Sequence, residues 1–329
     1  MRRALVTAAV GAALCGCGSG GTDDLPPAAE PSVSPPLTAR PAGTEIPVGP
    51  APEGVVADPV TGLVAVGLRT PDRLAIFDPR QRRVVKRVPL SESPRHLQLA
   101  APGGPVLVPA ERANALDLVD LPGGARRSVE VGGYPHDAAP AAGRHIWVGD
   151  EHADTVSVVE GDRVVRTLEV VRQPGGLTSL ADGRRVAIVA VRERVLEVFD
   201  ARTYERVGRA PAGVGPTHVV SDGRGLLYVV DTQGDALLVF DVAPKLQLTR
   251  RVYLRGSPYG IAIDREHGRI WVTLTARNRV VELAAGRRPR PLRELPTVRQ
   301  PDTVAVDPRR QRGYVTGRTA GTLQVFSTR

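Results

Sequence analysis

Seven times along this chain a proline is followed by an apolar run, a Gly/Asp turn, a second apolar run, a polar turn and a third apolar run. The prolines are Pro52, Pro94, Pro135, Pro174, Pro216, Pro258 and Pro301, spaced 39 to 43 residues apart. The clearest copy, Gly215 to Asp241, reads GPTHVVSDGRGLLYVVDTQGDALLVFD. Apolar runs of about five residues bounded by Gly and Asp turns are strand signals, and their spacing suits consecutive hairpins. Four such runs in each repeat predict an all-β fold, a seven-bladed β-propeller with four-stranded blades. A helical solenoid of similar period would need runs of roughly ten or more residues with 3.6-residue periodicity, and none is present.

Offsets within the repeat assign positions. The third residue after each proline is apolar: Val55, Leu97, Ala138, Leu177, Val219, Ile261 and Val304. The sixth is Asp58, Asp222, Asp264 and Asp307 in four copies, where a carboxylate can bond its own backbone and open the turn to the second strand. Third runs are the most regular (DRLAIFD, DALLVFD), and the first five end in Asp or Glu. Fourth runs, such as 82–90 and 162–170, are polar and arginine-rich, as half-exposed outer strands should be. The seventh copy stops after its third strand at Phe326, and Thr44-Glu45-Ile46-Pro47-Val48-Gly49 at the other end of the domain can supply the missing one. That pairing closes the ring and hides both edges.

The pattern G-x-x-P-x-x-[VIL]-x-x-D, then [YW]-V-[TD], then V-[FI]-D resembles the YVTN-type seven-bladed propellers, close to the YncE-like branch. The resemblance runs over about residues 44–329 and is plainest in Gly215–Asp241, Gly256–Val281 and the Tyr314-Val315-Thr316 triplet. It implies a propeller domain at 44–329 and says little of activity, because one fold hosts many functions.

The first residues look like a targeting segment. Arg2 and Arg3 precede an apolar run from Ala4 to Leu14, too short to span a bilayer. The run ends in Leu14-Cys15-Gly16-Cys17, which resembles a bacterial lipobox; the resemblance implies a signal peptide at 1–16 and lipidation of Cys17, anchoring the protein outside the cytoplasmic membrane. The rival reading is an ordinary secreted protein. Cys15 and Cys17 are the only cysteines, so a mature domain that starts at Cys17 has no disulfide. Residues 17–43, rich in Pro, Gly, Ser and Ala, read as the lipidated cysteine and a semi-extended linker.

Chemistry is harder to place. There is no C-x-x-C-H, which argues against covalent haem, and no G-x-S-x-G or H-E-x-x-H. The residue two after each leading proline should face an axial mouth on the face formed by the loops that join one repeat to the next and the second run to the third: Gly54, His96, Asp137, Gly176, His218, Gly260 and Thr303. His136 adjoins Asp137, and Glu111, Asp150, Glu151, His152 and Asp154 fall on loops of the same face. One reading is a polar-ligand site of His96, His136, Asp137, His218 and Thr303, with a divalent metal on His96, His136, Asp137 and His218. The plainer reading has these groups bonding loop backbone or water, and Asp150, Asp154, Asp231 and Asp235 serving as turn residues.

The net charge of +9, two units of which are Arg2 and Arg3, comes almost wholly from arginine. A basic face could hold anionic envelope polymers or lipid headgroups, but so few aromatics among the arginines argue against nucleic acid. Dispersed, solvated arginine is the plainer account. The expectation is a monomeric, lipid-anchored binding or scaffold module of the cell envelope with a protein or polymer partner. The alternatives are a metal-dependent lactonase- or lyase-like enzyme and a polyanion binder.

Overall fold

A computed structural model describes residues 25–180 and 182–329; the expected signal peptide at 1–16 and the expected lipidation site, Cys17, lie outside the described residues. Among the described residues, 28 strands form seven antiparallel sheets of four. Each of blades 1–6 runs in sequence order from the axis outward, strands A, B, C and D. The inner A strands are Pro52–Ala57, Gln98–Leu99, Pro135–Pro140, Pro174–Leu180, Pro216–Ser221, Pro258–Asp264 and Pro301–Asp307. Blade 7 takes its D strand from the other end of the domain: Thr44–Pro47 pairs antiparallel with Thr322–Ser327, Thr44 opposite Val325 and Pro47 opposite Thr322. The expected closure is present.

The core is seven apolar clusters, one between each pair of neighbouring blades. Strand alternation causes this, since successive side chains of a radial sheet point to opposite neighbours. In blade 6, Ile261 packs toward blade 5 and Ala262 toward blade 7. With aromatics at 4 %, single large rings on B strands fill the space between neighbouring blades, and Trp147, Trp271, Tyr228 and Tyr314 are fully buried. The predicted turns hold as well. Asp222 Oδ1 accepts from the N–H groups of Arg224, Gly225 and Leu226, and Asp58 accepts from Val60 and Thr61.

Many D-strand arginines are not free. Arg126, Arg206 and Arg293 reach back to the buried C-strand carboxylates Asp117, Glu197 and Glu282 at 3.1, 2.7 and 2.5 Å. Part of the basic character is therefore structural.

Residues 25–43, read above as linker, have no regular secondary structure and lie against the ring. Ala28 packs on the cluster between blades 4 and 5, and Glu30 reaches Arg95 of blade 2 at 3.3 Å. Gln300 brackets Ser32 and Ser34, donating Nε2 to Ser32 O and accepting from Ser34 N, each at 2.9 Å. Ser34 Oγ donates to Thr275 O and Asn278 Nδ2 to Pro35 O. This strap crosses the face formed by the D-to-A and B-to-C loops.

Candidate functional site

The A strand is the inner edge of each sheet, so the residues that begin it converge on the axis. Three of those positions are Gly54, Gly176 and Gly260, where neighbouring A strands touch. A Cβ on Gly260 would stand 2.4 Å from Asp302 O and 2.9 Å from Thr303 Cα, and one on Gly176 would stand 2.8 Å from Thr217 O. Backbone contact this close leaves the centre to the few copies that carry a larger side chain.

Two of these are histidines from opposite sides of the ring. His96 and His218 meet with their Nε2 atoms 3.0 Å apart and ring centres 4.4 Å apart. His218 Nδ1 lies 3.0 Å from the carbonyl oxygen of Tyr259. A carbonyl can only accept, so His218 carries its proton on Nδ1, and its Nε2 accepts from Nε2–H of His96. The hydrogen bond His96 makes is this one through Nε2, and its Nδ1 carries none to another described residue. Burial holds both rings well below the ordinary imidazole range, helped by the imidazoles and arginine around them, with His218 at about 3. Both are neutral at physiological pH.

His136 also packs against His96, its ring tilted by 39° with centres 4.8 Å apart, and its Nδ1 is 2.7 Å from Glu151 Oε2. Burial pulls His136 down, but Glu151 outweighs it and raises the imidazole; the same contact overcomes burial at Glu151 and holds that carboxyl at about 2. Glu111 stands close by, with one ligand atom each from Glu111, His136 and Glu151 lying within 4.8 Å of one another. Arg69 bridges Glu111 and Glu53, both at 3.0 Å, and Arg95 touches Glu53 at 3.3 Å and Glu111 at 3.6 Å. A cation at Glu111 would have to displace arginines that already balance it.

The other expected residues are held by the scaffold. Asp137 accepts from the N–H groups of Ala138 and Leu177, both at 2.8 Å, and from Gln98 Nε2 at 3.0 Å, tying blades 2, 3 and 4 together. Burial pushes its carboxyl up to about 6 despite those donors. Thr303 Oγ1 bonds Glu53 O and Thr316 Oγ1, stitching blade 7 to blade 1. Asp150 accepts from Ser157 and Thr155, Asp154 from Gln173 N, Asp231 from Gly215 N and Asp235 from Ser257 N, as turn residues do. His152 stacks on Tyr134 at 4.0 Å, away from the axis.

The histidine pair forms one end of an axial cavity of about 540 Å³. His96, His218, Asp137 and Thr303 line that end, Val56, Val220 and Val306 the middle, and the A-to-B turns at Pro59, Pro102, Arg265 and Glu266 the rim. The expected mouth lay on the D-to-A face, where the strap runs; the cavity opens at the opposite face. Glu53 and Arg69 lie in blade 1 and Arg95 at the start of blade 2; no repeat offset marks them, and only the packing of the two sheets brings them together.

No protein-family model matches the sequence, and no curated protein is similar to it in sequence. Similarity to solved structures is extensive and confined to fold. A chain of Kuenenia stuttgartiensis hydrazine synthase superposes with a TM-score of 0.74 at 14% identity, over 89% of this chain and 99% of that one. Virginiamycin B lyase from Staphylococcus aureus gives 0.70 at 13% identity over 86% and 98%. The propeller domain of Myceliophteria thermophila Cps50 (Swd1) gives 0.73 at 16% identity over 86% and 99%. The chain is a seven-bladed β-propeller.

Proposed function

We propose that this propeller, of YVTN/YncE-like type and held at the cell envelope by a lipid on Cys17, is a binding module that receives a small ligand in its axial channel. The observation that carries the reading is the channel itself: about 540 Å³, rimmed by exposed side chains and ended by His96 and His218, within the range of small-molecule sites. The titratable groups at that end argue against turnover by the side chains alone. A general base works best with a pKa near the operating pH, whereas His218 sits at about 3 and Asp137, at about 6, is held by three donors. Glu53 and Glu111 are paired with arginine. A lyase role, the activity named for the Staphylococcus aureus neighbour, would have to draw on Asp137, whose carboxylate is already engaged by Ala138, Leu177 and Gln98.

Native mass spectrometry of the full chain taken from the membranes that carry it tests this. A bound species of a few hundred daltons should accompany the wild type and be absent from Val220→Trp, which fills the channel. An empty wild type that turns over lactones or streptogramin-like esters would overturn the binding reading.

A further inference from the structure

We infer that the channel's closed end binds a late first-row divalent ion between the Nε2 atoms of His96 and His218, an inference that rests on the channel being the ligand chamber. The two rings come from blades 2 and 5 and point at one another across the axis, Nε2 to Nε2 3.0 Å. Two imidazoles each about 2.0–2.1 Å from one ion at near right angles stand roughly 3 Å apart. Ligating histidines characteristically anchor their outer nitrogen on a carbonyl or carboxylate, and His218 does so through Tyr259 O at 3.0 Å. His96 needs only to move its proton from Nε2, the atom through which it bonds His218, to Nδ1, which carries no hydrogen bond to another described residue. No proton is released, and the one hydrogen bond lost is the contact the ion replaces.

Imidazole donors favour zinc, nickel, cobalt and copper over magnesium and calcium. The neighbouring charges permit a dication. Arg95 and Arg69 are paired with Glu53 and Glu111, and His136 with Glu151. Asp137, expected among the ligands, has its carboxylate engaged by Ala138, Leu177 and Gln98, yet remains close enough to line the same end. The ion's open positions face the channel, so an oxygen or nitrogen of an incoming ligand would complete the shell.

Calorimetric titration of the metal-stripped full chain with Ni2+ and Zn2+, with electron paramagnetic resonance of the Cu2+ form, decides this. One ion per chain is expected, with two imidazole nitrogens coupled to Cu2+. His96→Gln and His218→Gln should each weaken Ni2+ binding at least tenfold, and His152→Gln should leave it unchanged. No uptake by the wild type, or undiminished uptake by a folded His96→Gln/His218→Gln protein, overturns the site. Should those variants not fold, the wild type alone decides, and a Cu2+ spectrum without imidazole couplings overturns it. Metal uptake retained in Val220→Trp supports the ion site independently of the channel ligand. A bound small molecule with no metal uptake overturns the ion site and leaves the channel reading standing.

Discussion

Asp302 is 2 % exposed, and its Oδ2 has no hydrogen-bond partner among the described residues. Burial, with Glu53 nearby, pushes the carboxyl from 3.8 up to about 8. Between those values the folded chain holds a proton that the unfolded chain has lost, so stability falls as pH rises through the window. The wild type should melt several degrees lower at pH 9 than at pH 6, and Asp302→Asn should remove most of that difference in a scanning calorimeter. Gly260→Ala should cost about 1–3 kcal/mol in chemical denaturation, the usual range for overpacking, because its Cβ would meet the Asp302 carbonyl at 2.4 Å. His96, His136, Asp137, His218 and Thr303 were readable as axial because the repeat gives each an offset from its proline. Which nitrogen faces which partner was not, since His96 and His218 lie 122 residues apart.

Strands carried the strongest signal, because alternation and turn chemistry are local. The closing strand was legible for a different reason: blade 7 lacked a fourth run and one lay spare at 44–49. Deleting 44–49 bares the edge of Thr322–Ser327 and should lower the melting temperature of the whole ring in one cooperative step; unchanged melting would refute the closure. The strap had no such signature. Its composition reads as linker because it lacks large apolar residues, yet Ser34 is 2 % exposed and the Gln300 amide accepts from Ser34 N through Oε1 and donates to Ser32 O through Nε2. A chain shortened to begin at Ala42 should show faster amide exchange at 275–278 and around Gln300, while the outer strands exchange as before.

For the whole molecule, replacing Cys17 by Ser should move the protein from the membrane to the soluble fraction and abolish labelling with radioactive palmitate. Arginine pairing also bears on partners. With Arg126, Arg206 and Arg293 bound to internal carboxylates, fewer cations are left for a polyanion, and affinity for heparin should be weak and lost by about 200 mM salt. The period of the repeat, strand order, ring closure and the set of residues at the axis all follow from local pattern, because each blade solves the same packing problem within about forty residues. Three things depend on the closed ring: the meeting of His96 with His218, the Arg69–Arg95–Glu53–Glu111 network, and the opening of the channel at the A-to-B face under a strap that covers the other. The histidine contact joins blades distant in sequence and the ion-pair network joins neighbouring blades 1 and 2; their energies come from burial and from charge at short range, which exist only once the sheets have packed together.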